Sequence, residues 1–217
     1  PTSLPFSMSL TVLLQLIAVL SLLGRAWGLH RMIGVALTVA FLGWGVEFIG
    51  SRTGFPFGSY DYTSLLQPQV VGVPLLVPLA WLMMLPCAWA VTQELGIRNR
   101  LMFIVVSALA FTAWDLFLDP QMVAWNFWKW NIPGEYFGIP LVNFAGWVLS
   151  AAIMTAIAAP GKVPARPLLV IYTVTWLLQS MGLAMFWGLV GPAIIGFAVM
   201  GTFVVLAWRT HFRNTRR

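Results

Sequence analysis

Apolar residues form seven long runs along the chain, separated by polar or irregular segments. The runs cover residues 6–23, 32–49, 73–93, 101–118, 140–159, 168–187 and 189–208. A helix needs about 20 apolar residues to cross the hydrocarbon core of a bilayer, and each run is close to that length. The pattern predicts an all-α fold, a polytopic bundle of about seven transmembrane helices in a single integral membrane domain over residues 1–217.

The composition agrees with this prediction. The chain has 217 residues, of which 60% are hydrophobic and 8% charged, whereas a soluble domain carries about 25% charged residues. We therefore expect a multi-pass protein of the cell membrane. The first run has no basic region before it and no small-residue cleavage site, so we expect it to stay as the first span. The single cysteine, Cys87, excludes a disulfide framework or a cysteine metal site.

Basic residues concentrate on one side of the predicted bundle. One side would carry Arg25, Arg31, Arg98, Arg100, Lys162, Arg166, Arg209, Arg213, Arg216 and Arg217. The other side would carry only Arg52 and Lys129. By the positive-inside rule, the N-terminus lies outside and the C-terminus is cytoplasmic. The net charge of +6 is therefore interpreted as a topology signal, and no nucleic-acid partner is expected.

Acidic residues concentrate on the opposite, outer side, together with two long loops rich in aromatic residues, 50–72 and 119–139. Glu47, Asp115 and Asp119 fall near the outer ends of predicted spans. Asp115 and Asp119 are four residues apart, so they share one helix face. An ionisable residue within a span is costly and indicates function. The pattern predicts an acid cluster in the outer half of the bundle, with the loops as a lid over a lipid-accessible cavity.

Structural alternatives remain open for these acids. Asp119 and Pro120 could end a helix or begin a turn. Asp115 or Glu47 could form an ion pair with one of the outer cations, Arg52 and Lys129.

Other polar and aromatic residues are expected at the surface. Solvated positions are predicted for Asp61, Glu135, His30 and His211. An aromatic belt at the membrane interface is equally consistent with Trp125, Trp128 and Trp130.

A weak internal repeat is visible in the two segments that follow the long loops. "GVPLLVPLAW" at 72–81 and "GIPLVNFAGW" at 138–147 share Gly, Pro, Leu and Trp at the same offsets. We interpret residues 32–93 and 101–159 as two copies of a helix–loop–helix unit that face each other around one site.

An acid cluster lined with aromatic rings suits the protonation of an alkene. Neighbouring carboxyls hold a proton between them, and ring faces stabilise a carbocation. A retinal protein would need a lysine in the last span, and "EFIGS" stands where a magnesium-dependent prenyltransferase would have a second Asp-rich motif. The chain has no Gly-rich phosphate loop, His cluster or Ser-His-Asp set, so no metal, flavin or nicotinamide is expected.

Four motifs carry a resemblance to a known family: "EFIGSRTGFPFGSYDYT", "GVPLLVPLAWLMM", "DLFLDP" and "YFGIPLVNFAGW". Over about residues 44–150 the chain resembles the carotenoid biosynthesis membrane proteins, which include the CruF-type carotenoid 1,2-hydratases. Similar members add water to the terminal C1–C2 double bond of an acyclic carotene end, as in lycopene or γ-carotene, and archaeal members hydrate C50 precursors of bacterioruberin. The resemblance implies a cofactor-independent hydratase, in which a carboxylic acid protonates the alkene and water captures the tertiary carbocation.

The resemblance supports a set of site residues rather than individual roles. We expect Asp115 or Asp119 as the proton donor, with Glu47 sharing its proton or positioning water. Candidate partners of the water or hydroxyl are Tyr60, Tyr62, Tyr136 and Asn143. Candidate walls for the polyene end and its cation are Trp81, Trp114 and Trp147.

The expected substrate is a carotenoid within the lipid bilayer, and other enzymes of carotenoid biosynthesis are conceivable partners. Two alternatives to hydration stay open. A lycopene-cyclase-like enzyme would use the same protonation step, with an internal double bond capturing the cation. A non-catalytic carotenoid or lipid binder, or a small transporter, would carry out no conversion.

Overall fold

Seven long helices make up most of the chain in the computed structural model, which describes residues 3–215. They are α1 (Ser3–Trp27), α2 (Leu29–Thr53), α3 (Leu76–Glu94), α4 (Arg100–Ala124), α5 (Leu141–Ala158), α6 (Ala165–Met185) and α7 (Val190–Thr215). All seven are long and apolar enough to cross a membrane. The predicted seven-span helical bundle is confirmed, and the protein is a multi-pass integral membrane protein.

The helix ends differ from the ends of the apolar runs, because hydropathy reports the thickness of the hydrocarbon core and not where a helix stops. The fourth run ends at residue 118, but α4 continues through Asp119 and Pro120 to Ala124. The alternative in which Asp119 and Pro120 end a helix is therefore wrong. This extension places the Asp119 side chain inside the bundle, where it is buried.

The centre of the bundle is α3, in which every residue from Trp81 to Thr92 is buried. It packs against α1, α2, α4, α6 and α7. An apolar surface on all faces is typical of a helix that is surrounded by protein. The peripheral helices instead expose large apolar side chains, such as Phe41 and Leu178, where lipid would lie.

The two long loops meet in a short antiparallel sheet that the sequence analysis missed. The sheet pairs β1 (Tyr60–Tyr62) from the first loop with β4 (Trp128–Trp130) from the second. Asp61 lies opposite Lys129, and an aromatic pair lies on each side of them. Because side chains alternate along a strand, the four aromatic residues share one face and the two charged residues share the other. A second hairpin in the first loop pairs β2 (Gln69–Val70) with β3 (Val73–Pro74).

Two glycines let the first loop pack closely between α2 and α5. A Cβ atom on Gly146 would lie 2.6 Å from the carbonyl oxygen of Pro56, and one on Gly50 would lie 2.7 Å from Cδ2 of Phe57. Both distances are shorter than any ordinary carbon contact, so a larger residue would displace the loop. The close approach buries Phe57 to 2% exposure and holds the loop against the helices.

Candidate active site

Asp115 and Asp119 lie one turn apart on α4 and are 0% and 2% exposed. Asn143, in the first turn of α5, donates through Nδ2 to Oδ2 of both carboxyls, at 3.0 Å for Asp115. Trp128 of β4 donates from Nε1 to Oδ1 of Asp119 at 3.1 Å. Two buried carboxyls that share one amide donor repel each other when both are ionised, which favours a proton held between them.

Glu47 approaches the same site from α2 and is 4% exposed. Its Oε2 accepts hydrogen bonds from the hydroxyls of Tyr60 at 2.6 Å and Tyr62 at 2.7 Å. Its Oε1 accepts from Nε1 of Trp81 at 3.2 Å. All three partners are donors, and hydrogen-bond donors favour the ionised form of a carboxyl group. Glu47 therefore has three donors, whereas Asp115 and Asp119 share the amide of Asn143.

The two tyrosines retain the protons that they donate to Glu47. Burial is the largest cause that raises the pKa of Tyr60 and of Tyr62 above the usual range, and the charge of Glu47 is the second. Both effects disfavour a phenolate, which would be a second negative charge beside the carboxylate. The phenols are thus stable hydrogen-bond donors at neutral pH.

Glu47 and Asp119 both face a small cavity of about 40 Å³, which we name the acid cavity. Its aromatic walls are Phe57, Tyr60, Tyr62, Trp81, Trp128, Trp130 and Trp147. A buried water needs roughly 10–15 Å³ of such space and two to four polar partners. The acid cavity therefore has room for a few water molecules next to carboxyl, phenol and amide groups.

Three aromatic rings cluster beside the acid cavity, and two of them, Trp81 and Trp147, line it. The ring centroids of Trp81 and Trp147 are 4.6 Å apart, with an interplanar angle of 21°. Phe111 lies behind them, 4.8 Å from Trp81 and 5.2 Å from Trp147. Since the face of an aromatic ring is electron-rich, this stack can stabilise a positive charge that forms in the cavity.

A second cavity of about 480 Å³ adjoins the first, between α1, α3, α4 and α6. Met8, Ala80 and Leu118 line both cavities. On α6, the wall residues Val174 and Leu178 are also exposed on the outside of the bundle. We name this cavity the lateral groove. Its volume and mostly apolar lining suit an apolar ligand that enters sideways.

The structure brings most of the predicted site residues together. The acid cavity is lined by Glu47, Tyr60, Tyr62, Trp81, Asp119, Asn143 and Trp147. Asp115 lies behind Asp119 and is bound by Asn143. Trp114 lines the lateral groove instead, and Tyr136 donates its hydroxyl to the carbonyl of Leu116 at 2.9 Å, outside both cavities.

The ion pairs considered for the acids do not form. Within residues 3–215 the one salt bridge joins Glu94 to His211 at 2.9 Å, so the expectation that His211 is solvated is wrong. Arg52 instead lies over the ring of Phe48, 4.5 Å from its centroid. His30, Asp61 and Glu135 are exposed as expected. In the same part of the chain, no group of three or more His, Cys, Asp or Glu could hold a metal ion.

Trp128 and Trp130 line the acid cavity, although the sequence analysis left them as a possible interface belt. They are 7% and 8% exposed, and their indole nitrogens bind Asp119 and the carbonyl of Phe57. The belt interpretation is wrong for these two residues. The alternation of aromatic and charged residues in "YDY" and "WKW" covers only three residues in each strand, which is too short to have found them.

Fold and site together define an integral membrane protein in which a buried carboxyl pair lies beside a lateral apolar groove. The chain belongs to the carotenoid biosynthesis protein family, whose model matches residues 7–203. It is similar to the bisanhydrobacterioruberin hydratase of Haloarcula japonica, with 35% identity over 129 residues. That match covers 57% of this chain and 43% of the relative, so it spans less than half of the relative's length. No solved structure matches the chain significantly.

Proposed function

We propose that the protein is a cofactor-independent carotenoid hydratase, which adds water to the terminal C1–C2 double bond of an acyclic carotene end. The observation that carries the proposal is the placement of two unlike acid centres, the Asp115–Asp119 pair and Glu47, around one cavity that adjoins a lateral groove. The name of the curated relative and the family of the chain support this reaction.

The aspartate pair supplies the proton. Asp119 lines the acid cavity and Asp115 does not, so Asp119 is the group that reaches the substrate, and Asp115 shares and returns the proton. The π electrons of the alkene form the new C–H bond at C2, the less substituted carbon. This leaves a tertiary cation at C1, which the faces of Trp81 and Trp147 stabilise.

Glu47 completes the addition as the base. In its ionised form, the Glu47 carboxyl, held by three donors, can accept a proton from a water molecule as the water oxygen bonds to C1. The proton then returns to the aspartate pair through water in the acid cavity. Proton and hydroxyl both come from one water molecule in the net reaction, so no cofactor is consumed.

We infer that the end of the bundle with the acid cavity faces the outside. The connections α1–α2, α3–α4 and α5–α6 meet at the other end, together with the helix turns that flank them and the last two turns of α7. These segments carry eight of the basic residues counted for topology. Arg216 and Arg217 lie outside the described residues. Positive charge on one side of a membrane protein favours a cytoplasmic location for that side.

We also propose that α2–α3 and α4–α5, with their loops, are two copies of one unit. Two relationships support this: the equivalent tryptophans Trp81 and Trp147 stack on each other, and the two loops pair through β1 and β4. Each copy contributes its own acid centre to the site, Glu47 from one and Asp115 with Asp119 from the other.

The decisive experiment is chromatography with mass detection on lycopene-producing cells that express the chain. We expect a product heavier by one water, which disappears with Asp119→Asn and falls strongly with Asp115→Asn. Glu94→Gln is the matched control, because this carboxyl lies at the other end of the bundle, next to His211. A product of unchanged mass but altered retention would contradict hydration and establish a cyclase. If the folded protein converts nothing in these cells, nor in cells that produce γ-carotene or a C50 precursor, the result would contradict an enzyme and favour a carotenoid binder.

A further inference from the structure

A proline inside α4 leaves one backbone carbonyl next to the aspartate pair without its regular partner. Pro120, which directly follows Asp119, lies within the helix and has no amide N–H. In a regular helix that N–H would donate to the carbonyl oxygen of the residue four positions earlier. That residue is Leu116, which directly follows Asp115. The change in helix hydrogen bonding therefore spans the segment that separates the two acids.

Tyr136, in the second long loop, supplies a donor to this carbonyl. Its hydroxyl donates to the carbonyl oxygen of Leu116 at 2.9 Å. Burial, followed by the charges of Asp115 and Asp119, raises the pKa of Tyr136 above its usual value, so the phenol keeps the proton that it donates. Since Tyr136 lines neither the acid cavity nor the lateral groove, its hydroxyl serves the helix and not the substrate.

Tyr136 is itself held in the turn that leads into α5. It exchanges two backbone hydrogen bonds with Ile139, at 3.1 Å and 2.9 Å. Its ring packs edge-on against Phe144 of α5, with the ring centroids 5.0 Å apart. Phe144 directly follows Asn143, whose amide binds both carboxyls of the aspartate pair. The start of α5 therefore contacts α4 in two ways, through the Asn143 amide at the carboxyls and through the Tyr136 hydroxyl at the backbone.

We propose that Tyr136 is a positioning residue, which holds α4 at Pro120 and so sets the distance between the two carboxyls of the aspartate pair. A proline inside a helix bends it. Because the affected segment lies between the acids, the angle of the bend changes how far apart their side chains lie. The Tyr136 hydroxyl restrains this angle, since it replaces the amide N–H that proline lacks.

This role deepens the proposed function and rests on it only for the effect on the reaction rate. The interaction between two carboxyls depends on the distance between them, and that interaction favours the shared proton. One amide can also bind both carboxyls only while both stay within hydrogen-bond reach. A change in spacing therefore alters the aspartate pair whether or not the chain hydrates a carotene.

The first test is Tyr136→Phe, with kcat and KM for hydration measured on purified, folded protein. We expect kcat to fall about 10- to 100-fold, the effect of a small displacement of catalytic groups. KM should stay unchanged, because Tyr136 lines neither cavity. A fall in the folded fraction alone would leave kcat per folded molecule as it is. An unchanged kcat overturns the positioning role.

Tyr172→Phe is the matched control on the same helix. The Tyr172 hydroxyl donates to the carbonyl of Ala110 in α4 at 2.7 Å. Trp114, four residues after Ala110, has an amide N–H for that carbonyl, so the tyrosine replaces nothing there. We expect kcat of Tyr172→Phe to equal that of the parent protein. The same fall in kcat for both tyrosine variants overturns the proposal.

A double-mutant cycle with Pro120→Ala tests the stated cause. Pro120→Ala restores an amide N–H for the carbonyl of Leu116. Tyr136→Phe should therefore lower the midpoint of thermal unfolding less in the Pro120→Ala protein than in the parent protein. Equal falls in the two backgrounds overturn the proposal. The cycle needs no activity, so it applies equally to a chain that hydrates nothing.

Infrared spectroscopy measures the aspartate pair directly, also without activity. The C=O band of its protonated carboxyl is assigned by the loss of that band in Asp115→Asn or Asp119→Asn. We expect Tyr136→Phe to shift this band and Tyr172→Phe to leave it in place. An unshifted band in Tyr136→Phe overturns the positioning role. A shifted band in a chain that hydrates nothing would support that role and overturn only the proposed reaction.

Discussion

Tyr60 donates a 2.6 Å hydrogen bond to Glu47, which joins a strand of the first long loop to the transmembrane helix before it. Tyr62 donates to the same carboxylate oxygen at 2.7 Å. Since these bonds involve a buried carboxyl group, the loop is part of the site's electrostatics and not only a cover over the helix ends.

Tyr60→Phe should reduce the hydration rate by about 10- to 100-fold, because Glu47 loses a donor that holds it ionised and oriented. Product formation per unit of folded protein measures this effect. Tyr172→Phe is the control: that hydroxyl donates to the carbonyl of Ala110 at 2.7 Å, within the helix bundle and away from the acid cavity. A similar loss of rate in both variants would show that Tyr60 acts through folding alone.

Asn143→Leu should lower the hydration rate by about 100-fold or more, because the aspartate pair loses the amide that binds both carboxyls. It should also lower the midpoint of thermal unfolding in detergent, since buried oxygens lose their donor. Thr155→Val removes another buried polar group from α5, the acceptor of the Trp89 indole at 2.9 Å. We expect Thr155→Val to lower stability and leave the rate per folded molecule unchanged. If Asn143→Leu retained the full rate, the shared amide would have no role in proton transfer.

Trp147→Leu should slow hydration by about 10- to 30-fold, the range expected when a cation loses one aromatic face. Trp147→Phe should recover most of that rate, because the phenylalanine ring restores a π face. The measurement is the hydration rate of Trp147→Leu and of Trp147→Phe with the same substrate. This comparison separates the loss of an aromatic face from the loss of packing. Trp176→Leu serves as the control, as this indole stacks on Phe197 at 4.7 Å, outside both cavities. Equal rates for Trp147→Leu and Trp147→Phe would argue against a cation at this position.

Gly146→Ala should impair both folding yield and activity, since the added methyl group would lie 2.6 Å from the carbonyl oxygen of Pro56. The loop would have to move and take Phe57 and Tyr60 away from the site. Gly34→Ala in α2 has nothing within 4 Å of the added carbon and should stabilise the helix by up to about 1 kcal/mol. If the close approach matters, Gly146→Ala lowers both the midpoint of thermal unfolding and product formation, whereas Gly34→Ala lowers neither. Normal activity of Gly146→Ala would contradict the importance of this contact.

The loop tyrosines should ionise well above the usual value of about 10. Burial is the main cause that raises the pKa of Tyr60, Tyr62 and Tyr136, followed by the charge of a nearby carboxyl. Above about pH 10 the folded chain thus binds more protons than the unfolded chain, so its free energy of unfolding falls as the pH rises. The absorbance of phenolate should reveal ionisation of these three tyrosines near pH 10 only after the protein is denatured. Titration of all four tyrosines near pH 10 in folded protein would contradict this.

The sequence by itself determined the number and approximate places of the spans, because the bilayer sets one length that every crossing helix must reach. It also indicated Glu47, Asp115 and Asp119 as candidate site residues, since an ionisable group at membrane depth is costly. The spacing of Asp115 and Asp119 places both side chains on one helix face, and the structure shows them together. These conclusions follow from the local spacing of residues, from the thickness of the bilayer and from the cost of placing an ionisable group in lipid.

The tertiary structure alone decided which groups complete the site. Asn143 meets the aspartates because α5 packs on α4, and Trp128 meets Asp119 because β4 pairs with a strand more than 60 residues earlier in the chain. Three-residue strands are too short for alternation to be distinguished from chance. The lateral groove depends on how α1, α3, α4 and α6 are arranged around one another. Helix packing follows from the fit of many side chains that are distant in sequence, so no local pattern could specify it.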